Sequence, residues 1–160
     1  MSSEPTVAWW FASAASQLED GLHGSDLIAS AIYALRAILA AAEIVEGDAV
    51  PEGGIRLLDA KLHSASRPLA AASGVSLEEI TLGMGAAGGV AALYVHPYAE
   101  RANHCAAGML LDYIDHTAML AARLEMLLRG QRIDRRGDVL RRTVTILRAM
   151  DQGAVGAPLH

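Results

Sequence analysis

Ser25-Asp-Leu-Ile-Ala-Ser-Ala-Ile-Tyr-Ala-Leu-Arg-Ala-Ile-Leu-Ala-Ala-Ala-Glu-Ile-Val45 is the stretch of this 160-residue chain on which the fold turns. Ile28, Ile32, Leu35, Ile38 and Leu39 recur at helical steps, so they share one face of a helix. Alanine fills most of the remaining positions, and alanine loses least side-chain freedom on entering a helix. Ser25 is placed to cap the first turn, with Asp26 in that turn near the positive end of the helix dipole.

The same periodicity extends in both directions. Before this helix, Phe11, Ala15, Leu18 and Leu22 form an apolar stripe, predicting a helix from about Val7 to Leu22 with Thr6 as its cap and Gly21 and Gly24 around its end. After it, Glu46 to Gly54 mixes acids with Gly and Pro and reads as an exposed loop. A third helix is expected from about Ile55 to Ser66 or beyond, with Leu58, Leu62 and Ala65 inward; Pro68 either kinks it or opens a new turn. Ile80 to Ala99 contains no Asp, Glu, Lys or Arg and is read as helix despite its four glycines. Pro97 suits the first position of a long helix reaching about Leu128, where Gly130 would stop it. Asp134 or Asp138 would cap a last helix ending near Met150.

No strand-like alternation and no repeat is found. The expectation is an all-α compact bundle of five to six helices, mostly antiparallel neighbours because the connections are short, with residues 1–152 as one domain and 153–160 as a flexible tail. The length suffices to bury a sizeable core without metal or disulfide support. Cys105 is the single cysteine, so no internal disulfide can form. With no secretory leader readable, the cytoplasm is the expected compartment. Abundant Ala, and Arg with Lys61 as the one lysine, match GC-rich bacterial coding.

The formal charge of −5 is unevenly distributed. Residues 1–122 hold five basic and fourteen acidic side chains, a net −9; residues 123–148 hold eight arginines and three acids, a net +5. Such asymmetry points to a partner surface, internal or external. Within the basic segment Val139, Leu140, Val144, Leu147 and Met150 have the spacing of an inward helical stripe. Arg132, Arg135, Arg136, Arg141, Arg142 and Arg148 remain for an acidic partner or a polyanion. The overall acidity and the lack of interleaved aromatics argue against nucleic acid.

Other motifs are weighed against plainer roles. His96, Glu100, His104 and Asp115 approximate one helical face and form a candidate metal set, but Asp112 and His116 fall off that face and Pro97 pulls His96 out of helical geometry. Gly83-Met-Gly-Ala-Ala-Gly88 satisfies a dinucleotide-loop spacing without the strand that gives it meaning, so Gly85 and Gly89 are read as close-packing positions at an interface. Pro68 to Ile80 has a helix-turn-helix flavour, yet Glu78 and Glu79 open the second helix where phosphate would be repelled. Ile80 to Val95 is too short and too weakly apolar for a membrane span. Trp9 and Trp10 cannot both point inward beside Phe11, so one points sideways, where a subunit or ligand interface could take it; core packing is the favoured role. Cys105, among Ala106, Ala107 and Leu110, reads as a small hydrophobe.

No catalytic set is readable and no cofactor is expected. The leading expectation is a non-enzymatic helical interaction or regulatory protein that self-associates and binds a protein partner. Nucleic-acid binding through the arginine-rich segment is the alternative, and a metal-binding bundle the next.

Overall fold

Thr6 starts the first helix as its sequence requires: its Oγ1 accepts a hydrogen bond from the Trp9 N–H at 3.0 Å, satisfying an amide that no helical carbonyl can reach. In the computed structural model, which describes residues 6–24, 26–44, 50–95 and 104–129, five α-helices follow in order. They are α1 (Val7–His23), α2 (Leu27–Ile44), α3 (Glu52–Ser73), α4 (Leu77–Val95) and α5 (His104–Arg129). The described residues contain no strand, and the architecture is an all-α bundle. The expected sixth helix and the tail lie outside the described residues.

Several boundaries differ from expectation for local reasons. Asp26 stands at the cap position of α2, its carbonyl accepting from Ser30 N–H, and not inside the first turn. Ser25 lies outside the described residues. The expected loop to Gly54 is shorter, because α3 begins at Glu52 directly after Pro51. At its other end α3 passes through Pro68 and runs on to Ser73, as a helix reaching Ser66 or beyond allowed. Pro68 and Ser64 both sit on the exposed side, where the Ser64 carbonyl that loses its helical donor is on the side facing water. Gly74 terminates α3 in the left-handed region (φ 79°), its N–H bonding the Ala70 carbonyl, a conformation that side chains with a Cβ resist.

Neighbouring helices run antiparallel where their contacts fix the direction. Across the turn at Gly74, Gly88 of α4 lies against Asp59 and Leu62 of α3, equally far back along the chain. The two helices therefore lie side by side, and the helix-turn-helix flavour of residues 68–80 resolves into a hairpin. Along α4 and α5, Glu79 meets Arg123, Gly83 meets Leu120 and Gly89 meets Tyr113, the falling partner numbers marking a second antiparallel pair.

The helix that opened the sequence reading occupies the middle. α2 packs on α1, α3, α4 and α5, and the other four close around it, with α1 also on α3, α3 on α4 and α4 on α5. Burial follows: Ala31, Ile32, Ala34, Leu35, Ala37, Ile38, Leu39, Ala41 and Ala42 are all buried, far more than one stripe. Among the described side chains of α2 only Tyr33 and Arg36 are fully open. Alanine on several sides of α2 lets its neighbours approach closely. The larger side chains of the core are Phe11 and Leu18 (α1), Leu58, Leu62 and Leu69 (α3), Ile80 and Met84 (α4), and Ile114 and Leu124 (α5). Each such side chain contributes roughly 1.5–3 kcal/mol by leaving water.

Candidate interaction surface

α4 begins at a serine cap: Ser76 accepts from the Glu79 N–H through Oγ at 3.2 Å and from the Ile80 N–H through its carbonyl. Glu78 and Glu79 then lie in the positive first turn, where carboxylates are favoured. Glu79 also pairs with Arg123 of α5 at 3.0 Å. Beyond Glu79 the helix has no charged residue, and its inner side is consumed by the core through Ile80, Met84, Ala87, Val90 and Ala91.

The glycines of α4 divide into two kinds. A Cβ at Gly83 would strike the Leu120 side chain, one at Gly88 would stand 2.9 Å from Asp59 Oδ1, and one at Gly89 would stand 2.6 Å from the Tyr113 ring. These three let α3 and α5 close on α4. Gly85 is different: it is exposed, it has no atom within 4 Å of where a Cβ would be, and its backbone is not left-handed. The packing of the described residues gives no reason for glycine there. One turn earlier, Leu82 is 54% exposed. Together Leu82 and Gly85 form a projection and a recess on one uncharged helix face.

α5 presents a second outer face. Asp112, Asp115, Met119 and Met126 follow one another at steps that keep them on one stripe, and all four are exposed, Met119 at 59% and Met126 at 46%. On its inner side the buried Thr117 donates to the Tyr113 carbonyl at 2.7 Å, so its hydroxyl is satisfied within the helix. His116 places Nδ1 2.9 Å from the Asp112 carbonyl, a bond along the helix and not toward a shared centre. Of the ten large apolar side chains exposed among the described residues, seven belong to α4 and α5.

The residues singled out from sequence are distributed as follows. Trp9 is exposed and Trp10 half-buried against the core, their rings edge to face with centroids 5.0 Å apart. The indole N–H of Trp10 is buried without an acceptor among the described residues. Gly85 faces outward while Gly89 is used inside the chain, so the two do not share a role. The spacing at 83–88 lies in mid-helix with no strand before it, which removes the phosphate-cradling geometry. His96 and Glu100 lie outside the described residues, as do Arg132, Arg135, Arg136, Arg141, Arg142 and Arg148. His104 opens α5, and Asp115 is exposed about three turns further on. Among the described residues no three His, Cys, Asp or Glu side chains are grouped to hold a metal.

Leu82, Met119 and Met126 were not singled out from sequence. The signal was present for α5, where 112, 115, 119 and 126 repeat at heptad-like steps, but its opposite side is equally apolar and periodicity does not say which side the bundle covers. No helix of the described residues is long and apolar enough to cross a membrane. Comparison with models of known families, with curated proteins and with solved structures finds no match.

Proposed function

We propose that this protein is a non-enzymatic helical interaction protein of the cytoplasm that self-associates, with the outer face of α4 as the contact between copies, and that it serves a regulatory role by binding a protein partner. The observation that carries the reading is the pair Leu82 and Gly85: an exposed leucine one turn from a glycine that no contact among the described residues requires. A glycine in mid-helix costs about 1 kcal/mol relative to alanine, so an unused one calls for a role outside the chain. A two-fold axis across this face would set Leu82 of each copy over Gly85 of the other, as a closed symmetric dimer needs. The absence of charge between Ile80 and Val95 removes the desolvation penalty that would oppose such contact.

Light scattering on the full chain tests it. The expected result is a concentration-dependent oligomer that Leu82→Glu converts to monomer with unchanged helical circular dichroism. A parent that is monomeric at every accessible concentration overturns the reading.

A further inference from the structure

The outer face of α5 is unlike that of α4. It joins two exposed carboxylates, Asp112 and Asp115, to two exposed methionines, Met119 and Met126, on one stripe. An occupant must therefore bring both an apolar line and cations. The chain contains one such segment, and it follows α5 directly: Arg132 to Met150, with Val139, Leu140, Val144, Leu147 and Met150 at helical spacing among six arginines. This segment lies outside the described residues.

We infer that residues 138–150 of the same chain dock on this face of α5, their apolar line over Met119 and Met126 and Arg141 and Arg142 toward Asp112 and Asp115. Charge favours it, since residues 1–122 sum to −9 and residues 123–148 to +5. Connection length permits it: the nine steps from Arg129, where α5 ends, to Asp138 reach at most roughly 31 Å, against about 26 Å back along α5 from Arg129 to Asp112. The tether also decides between the chain's own segment and that of a second copy. A short linker holds its segment at an effective concentration in the millimolar range, which a free copy does not match in dilute solution. The inference is independent of self-association through α4, because the two faces lie on different helices.

Two measurements on the full chain test it. Trypsin cleaves after arginine, so cutting after Arg141, Arg142 and Arg148, beyond the linker, should be at least tenfold slower in the protein than in a synthetic peptide of residues 130–160, and several-fold faster in Asp112→Arg/Asp115→Arg than in the parent. Equal rates in protein and peptide overturn the inference. In a Cys105→Ala background, Met119→Cys is combined in turn with Leu140→Cys, Val144→Cys and Leu147→Cys, and the thiols are oxidised. At least one pair should close a disulfide within one chain, which requires the two Cα atoms to come within about 7 Å. Free thiols in all three, or bonds only between chains, overturn it. Loss of oligomer in light scattering with the intrachain bond retained would remove the self-association reading alone.

Discussion

Gly89 of α4 lies against the ring of Tyr113 on α5 so closely that a Cβ at Gly89 would stand 2.6 Å from Tyr113 Cδ2. Four residues earlier on the same helix, a Cβ at Gly85 would meet nothing. The same substitution should therefore have opposite signs. Gly89→Ala gains helix propensity but forces the ring or the helix to shift, for a net loss of roughly 1–3 kcal/mol. Gly85→Ala should raise stability by roughly 0.5–1 kcal/mol. Urea unfolding at protein concentrations below association reads both.

Gly21 and Ser30 form the corresponding contact between α1 and α2. A Cβ at Gly21 would collide with the Ser30 side chain, whose hydroxyl accepts a hydrogen bond from Gln17 at 3.3 Å. Gly21→Ala should destabilise, and adding Ser30→Gly should recover part of the loss. A double-mutant cycle by chemical denaturation should give a favourable coupling of roughly 0.5–3 kcal/mol. Strict additivity would show that α1 and α2 are not in close contact at this point.

The helix starts at Thr6 and Ser76 depend on side-chain oxygens that accept from Trp9 N–H and Glu79 N–H. Thr6→Ala and Ser76→Ala should each cost about 1 kcal/mol, whereas Thr6→Ser should cost little. Thermal unfolding followed by circular dichroism distinguishes them.

The central position of α2 predicts an asymmetry among its residues. Ala34 is fully buried and Tyr33 is exposed. Ala34→Leu adds volume where neighbouring helices already meet and should cost roughly 1–3 kcal/mol. Tyr33→Ala, although the larger change, should stay within about 0.5 kcal/mol. Comparable losses for the two would mean that α2 is not enclosed.

The sequence by itself determined the helical class and the start of α1. Thr6 was legible as a cap because capping joins a side chain to an amide three residues on, and the stripes of α1 and α2 were legible because a 3.6-residue period needs no knowledge of neighbours.

What only the tertiary structure decided was the use of each face. Ile28 to Leu39 promised a single inward stripe, but α2 is enclosed by four helices, so its alanines are core as well. The sequence left open whether Pro68 kinks a helix or opens a new turn; it lies inside α3, on that helix's exposed side. Gly85 and Gly89 look interchangeable in a sequence of small residues, yet Tyr113, distant in sequence, fills the space beside one and leaves the other open. Leu82, Met119 and Met126 belong to apolar runs that could equally have been core. Local structure follows from hydrogen bonds and rotamers within a few residues. Burial depends on which distant segments arrive and on how closely they approach, and that was settled only when α4 and α5 packed together around α2.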